Sequence, residues 1–280
     1  MKRIITIQDI SCVGRCSLTV ALPIISACGV EAAILPTAVL STHTAFPKFT
    51  FRDLTDELEP ISDAFSQLGL TFDAVYTGYL GSFEQLRLIA NFIDRFKAPE
   101  TSVFIDPVMG DNGRLYSGFT QEFADSMAGL CGRADLILPN LTEAAYMLRL
   151  PYRESYDEDY IRDLLPRLTG LGAKRATLTG IGFKPDEIGY YMYDSITGRY
   201  SSYFNERIQA SYHGTGDVFA SAALGAYTRG LKLEDALSTA VDFTLECIKK
   251  TQADPDRRFY GVNFEQALPM LINRLASAAD

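Results

Sequence analysis

Short apolar, β-branched runs alternate with longer stretches of helical periodicity along most of this chain, and that alternation restricts the fold more than any other feature. Residues 4–7, 30–39, 72–76, 102–105, 136–138 and 175–179 read as strands, with Pro36 interrupting the second. Between them, 18–28, 53–68, 82–97 and 121–130 carry helical spacing; Gly29 stops the first, and Ser82 caps the third with Glu84 and Gln85 in its opening turns. Residues 187–193 and 199–204 flank a turn at 194–198 as a hairpin, and the tail returns to helices over 218–228, 233–249 and 264–278. Such alternation predicts an α/β fold: a doubly wound, mostly parallel central sheet with helices on both faces. The polar segment 151–159 has the look of a boundary, but no independent core follows it. A single domain over 1–280 is expected.

In an open α/β sheet, ligands bind beyond the carboxyl ends of the strands. The polar motifs of this chain fall at such ends: Asp9 and Ser11, residues 41–47, 78–82, 106–113 and 139–143. The most informative stretch is His213-Gly214-Thr215-Gly216-Asp217, which runs directly into small and apolar residues at helical spacing. It places two glycines and an aspartate at a helix entrance, where unpaired N–H groups and the helix dipole favour an anion. An aspartate there can take a proton from a hydroxyl while the N–H groups hold charge on a transferred phosphoryl group. Taken alone, Asp217 also reads as an ordinary favourable acid in a first helical turn.

Several function classes are disfavoured. A formal charge of −9 with no offsetting basic cluster argues against nucleic acid and anionic membranes as partners. No run approaches the roughly 20 apolar residues of a membrane span, and the N-terminus lacks the pattern of a cleaved signal. Five scattered cysteines are unlike a disulfide framework and suggest a reduced, cytoplasmic setting. Cys12 and Cys16 have only His43 and His213 as distant histidine partners, a poor zinc pattern. There is no Walker A sequence and no G-x-G-x-x-G after the first strand.

The motifs Gly78-Tyr79-Leu80-Gly81-Ser82, Asp106-Pro107-Val108-Met109-Gly110, Pro139-Asn140-Leu141-Thr142-Glu143 and Gly214-Thr215-Gly216-Asp217 occur in this order, preceded by Ser41-Thr42-His43-Thr44. Over nearly its whole length the sequence resembles the ribokinase-like superfamily of small-molecule kinases, and within it the pyridoxal (vitamin B6) kinases. The resemblance implies ATP-dependent phosphorylation of the 5′-hydroxymethyl group of pyridoxal, pyridoxamine or pyridoxine. It implies Asp217 as the base and the N–H groups of Gly214, Thr215 and Gly216 as an anion hole. It implies Mg²⁺ on the ATP phosphates, arranged by Asp106 and Glu143 partly through water, with Asn140 ordering the phosphates and Thr179 near the nucleotide. On the substrate side, Asp9 or Ser11 would bond the pyridine's polar edge, His43 and Thr44 would border the ring, and Tyr79 would pack against it. The loops 41–52 and 110–118 are candidates for a cover that excludes water. A homodimer is expected from the resemblance, and a monovalent-cation requirement is left open.

The chain departs from the family in places. Asp9 stands where familiar pyridoxal kinases carry a serine, and an aspartate there is also similar to the hydroxymethylpyrimidine kinases. Thr179 stands where some carry a lysine, and His213 has no mechanistic role. The alternatives are a hydroxymethylpyrimidine kinase, or a protein that binds a B6 vitamer without turnover.

Overall fold

The computed structural model describes residues 1–277. Its strands are β1 (Arg3–Val13), β2 (Glu31–Thr42), β3 (Phe51–Asp53), β4 (Ala74–Thr77), β5 (Ser102–Ile105), β6 (Gly110–Asp111), β7 (Arg114–Leu115), β8 (Leu136–Ile137), β9 (Arg175–Ile181), β10 (Glu187–Asp194) and β11 (Arg199–Glu206). The helices are α1 (Leu18–Ala27), α2 (Thr55–Gln67), α3 (Phe83–Phe96), α4 (Gln121–Cys131), α5 (Leu141–Met147), α6 (Glu158–Thr169), α7 (Thr215–Arg229), α8 (Leu233–Ala253) and α9 (Phe264–Ser277). The last helix expected from the sequence ends on Ala278, which lies outside the described residues.

The main sheet has the order β11-β10-β9-β8-β5-β4-β1-β2-β3. Its centre is parallel, from β2 through β1, β4, β5 and β8 to β9. Both edges are antiparallel, with β3 on β2 and the β10–β11 hairpin on β9. Successive side chains point to opposite faces, so each central strand feeds two cores. Ile5, Ile7, Val75 and Val103 pack with α2 to α6, whereas Ile4, Tyr76 and Phe104 pack with α1, α7, α8 and α9. Strands buried on both faces must be apolar throughout, which accounts for the unbroken runs in the sequence.

The structure corrects three local expectations. First, β1 does not stop at residue 7: it continues to Val13 because β2 keeps pairing with it, Ser11 opposite Leu40 and Val13 opposite Thr42. Asp9 and Ser11 therefore sit on a strand rather than a loop. Second, β2 runs through Pro36, with the irregularity falling between Gln8 and Ile10 on the facing strand. Third, residues 151–159 lead into α6, whose Ile161, Leu164, Leu165 and Leu168 are buried and whose cap is Asp157, accepting from the Tyr160 N–H at 2.9 Å. The parallel strands β1, β4, β5 and β8 all end on the same rim. The entrances of α5 and α7 meet them there.

Candidate active site

The site is built on the first turn of α7. Gly214 precedes it at φ 79°, and a Cβ there would stand 2.0 Å from the Arg15 carbonyl oxygen, so no other residue fits. No side chain caps this helix, which leaves its first N–H groups for a guest. At Gly216 the flank is open: a Cβ would meet nothing within 4 Å. Small residues further along, from Val218 to Ala226, are buried in the core and fix the helix behind its entrance.

Asp217, in this first turn, accepts a hydrogen bond from the Ser17 N–H at 2.9 Å. Burial pushes its carboxyl up to about 6, the Ser17 N–H pulls it down, and the charge of Asp9 pushes it further up. Asp9, on β1, is buried and accepts from two hydroxyls, Ser17 Oγ at 2.6 Å and Ser11 Oγ at 3.1 Å. Burial raises its pKa and the two hydroxyls oppose that rise. Ser17 thus touches both acids.

On the other side stand Asp106, just beyond β5, and Glu143 in α5. Glu143 is buried and forms a reciprocal cap with Asn140: the Asn140 N–H donates to Glu143 Oε2 at 2.9 Å, and the Glu143 N–H donates to Asn140 Oδ1 at 3.0 Å. The Met109 N–H donates to its other oxygen at 3.1 Å. Burial pushes Glu143 up to about 8, while these backbone N–H groups pull it down. Asp106 has no such help. Burial and the charges of Glu143 and Asp217 raise its pKa well above the carboxylate range, and no hydrogen bond to its carboxyl opposes them.

The remaining expected residues divide into anchored and free. Asn140 commits its amide to Glu143 and to the Gly110 carbonyl, at 2.8 Å, so it ties α5 to β6. Thr179, on β9, bonds the Pro139 carbonyl through its N–H at 3.0 Å and so flanks the same loop. Tyr79 is half-buried, 5.7 Å from the Phe119 ring, and its phenol is raised first by burial and then by the charges of Asp9 and Asp53. Thr44 is exposed in a turn. His43 is buried, accepts the Ala45 N–H at Nδ1 (3.1 Å) and therefore carries its proton on Nε2, which donates to the Tyr260 carbonyl at 3.0 Å. Its ring stacks on His213 at 4.3 Å and 30°. Desolvation lowers the pKa of both rings; His213, exposed at the surface of the pair, is lowered also by the charge of His43. The pair joins the 41–47 loop to the entrance of α7, which supplies the structural role for His213.

Three neighbours were not legible in advance. Ser17 is one. Arg15 is another: it bonds Asn263, pairs with Glu265 at 3.3 Å, and lies 6.0 Å from the Tyr260 ring. Tyr116 is the third; besides burial, the charges of Glu143, Asp111, Asp106 and Asp217 all raise its phenol, so it belongs to the acids' surroundings from the 110–118 loop. A cavity of about 400 Å³ lined by Gly113, Tyr146 and Tyr152 lies off this centre and contains none of the acids.

Comparison with known proteins identifies the family and the fold. The sequence model of the family described as phosphomethylpyrimidine kinase matches residues 22–262. A crystal structure of pyridoxal kinase from Lactobacillus plantarum is 31% identical, covers 98% of both chains and superposes with a TM-score of 0.89. A Bacteroides thetaiotaomicron protein with a provisional phosphomethylpyrimidine kinase name, solved in an orthorhombic form with pyridoxal, is 39% identical over 96% of this chain and 95% of its own, with a TM-score of 0.91. The pyridoxal kinase of Dictyostelium discoideum is 23% identical over 97% of this chain and 96% of its own. The chain therefore belongs to the phosphomethylpyrimidine kinase family, on the ribokinase-like fold that the pyridoxal kinases share.

Proposed function

We propose that this chain phosphorylates the 5′-hydroxymethyl group of pyridoxal, pyridoxamine or pyridoxine with ATP as donor. The observation that carries this reading is a half-buried carboxylate, Asp217, set beside the open, uncapped N-terminus of α7 and sharing Ser17 with a second acid, Asp9. With its pKa at about 6, Asp217 is ionised at neutral pH and still basic enough to accept a proton. The acceptor hydroxyl is held against Asp217, gives up its proton to that carboxylate and attacks the γ-phosphorus in line, as the bond from that phosphorus to the bridging oxygen breaks and ADP leaves. The N–H groups at Gly214, Thr215 and Gly216 stabilise the negative charge on the transferred group. On the vitamer, Asp9 and Ser11 bond the ring's polar edge, Tyr79 packs on its face, and His43 and Thr44 close the rim.

The donor side fits Mg²⁺. Asp106 is an acid without a hydrogen-bond partner among the described residues, and Glu143 has both oxygens engaged by backbone N–H groups, a set suited to a hydrated cation held partly through water. Asp106 and Glu143 would hold such a cation, which would supply charge neutralisation to the phosphates. Asn140 and Thr179 keep the loop beside those phosphates in place. We further propose a homodimer in a cytoplasmic setting, consistent with cysteines that are all free.

The test is Mg·ATP-dependent phosphorylation of pyridoxal and hydroxymethylpyrimidine by the purified protein and Asp217→Asn in parallel. Pyridoxal turnover that collapses in a variant still binding pyridoxal supports the reading. Turnover of the pyrimidine alone favours the second reading, a hydroxymethylpyrimidine kinase, for which the family's own name speaks. Pyridoxal binding without turnover by the unaltered protein overturns an enzyme.

A further inference from the structure

Ser17 sits at the junction of β1 and α1 with φ 50° and ψ −136°, a region that side-chain-bearing residues enter only under strain. Helix capping does not explain it, because its side chain makes no cap hydrogen bond to α1. Glycine would adopt the same backbone freely and would keep the N–H that holds Asp217. What glycine would lose is the hydroxyl, and that hydroxyl donates to Asp9 at 2.6 Å. The identity of residue 17 is therefore accounted for by its bond to the acceptor-side acid.

The bond has a chemical consequence. Ser17 and Ser11 each engage one oxygen of Asp9 as donors, which fixes the carboxylate plane and leaves a further lone pair on each oxygen able to accept. A carboxylate so held accepts from a ring N–H or a ring hydroxyl and gives nothing to a ligand that offers only acceptors. We propose that Ser17 is a positioning residue that sets acceptor specificity: its hydroxyl orients Asp9 toward a hydrogen-bond-donating heteroaromatic alcohol, while its N–H keeps the base Asp217 in register with that alcohol's oxygen. This rests on the functional reading above.

Ser17→Gly and Ser17→Ala separate the hydroxyl from the backbone. Pyridoxal affinity is measured by calorimetry without ATP, alongside kcat, KM and Tm. In Ser17→Gly the expected result is a dissociation constant raised about tenfold, the size of one lost hydrogen bond to a charged group. KM for pyridoxal rises in parallel, kcat stays within about threefold because the N–H on Asp217 survives, and Tm does not fall. Ser17→Ala loses the same affinity at a lower Tm. In an Asp9→Asn background, Ser17→Gly adds less than about twofold, since both changes remove one interaction. Pyridoxal binding by Ser17→Gly within twofold of the unaltered protein overturns the proposal, as does full additivity with Asp9→Asn. Failure of the unaltered protein to bind any B6 vitamer is a different result and overturns the functional reading itself.

Discussion

The two halves of the site are built in opposite ways. On the acceptor side, Asp9 and Asp217 receive bonds from Ser11 and Ser17 and are joined through one residue. On the donor side, Glu143 is held by backbone N–H groups, but its neighbour Asp106 has no donor among the described residues. A buried carboxylate without a partner costs stability until something positive or protic arrives. On the proposed reading, the acceptor half is finished by the chain itself, whereas the donor half is left to be completed by what it binds.

Removing the base should show this most strongly. Asp217→Asn is expected to lower kcat by about 10³-fold, within the range for a positioned general base, with pyridoxal binding retained in calorimetry. The same variant should be more stable at pH 7.5. The folded pKa of Asp217 lies near 6, above its ordinary 3.8, so stability is lost as pH rises from about 4 through 6. The gain is on the order of 2–3 kcal/mol at pH 7.5 and disappears below pH 4, which thermal melts at the two pH values will read. Next in size is Gly214→Ala. The added Cβ collides with the Arg15 carbonyl at a positive φ, and a loss of about 10²-fold in kcat/KM with a Tm lower by several degrees is expected.

Asp106→Asn sharpens the comparison from the donor side. It relieves the unopposed burial, so Tm should rise, while the Mg²⁺ concentration giving half-maximal rate should climb roughly tenfold, about the worth of one charged contact. A smaller effect is predicted in the pH profile. kcat/KM should fall tenfold per unit below about 6 as Asp217 takes up its proton, and Asp9→Asn should move that limb to lower pH, because the charge of Asp9 is one cause of the raised value. Smallest of all is His43→Ala. It removes the bond to Tyr260 and the stacking on His213, lowering Tm by a degree or two, about 1 kcal/mol, with kcat nearly unchanged.

Much of the fold was legible because burial on both sheet faces demands apolar runs, and helices beside it demand periodic ones. The α7 entrance followed from two glycines and an acid ahead of a small-residue run. The second strand's continuity across Pro36 was not legible, since it depends on an irregularity in the pairing with β1 that only the assembled sheet reveals. The α6 helix was written in the sequence, in Asp157 and apolar positions 161, 164, 165 and 168, but its polar approach hid it. Ser17 gave no signal beyond a residue preceding an apolar run, because one of the acids it bonds, Asp217, lies two hundred positions away. His43 reads from sequence as a ring-bordering group; the structure gives both its nitrogens backbone partners, 45 and 260.

The close approach of Gly214 to the Arg15 carbonyl, and of Gly261 to the Arg15 side chain, brings three remote stretches of chain against one another. During synthesis, β1 is made early and lies inside the sheet between β4 and β2, yet the centre it serves is incomplete until residues near 260 have left the ribosome. A nascent chain would therefore carry the acids of its first half through most of translation with no competence to bind, and would acquire its binding site in one late event.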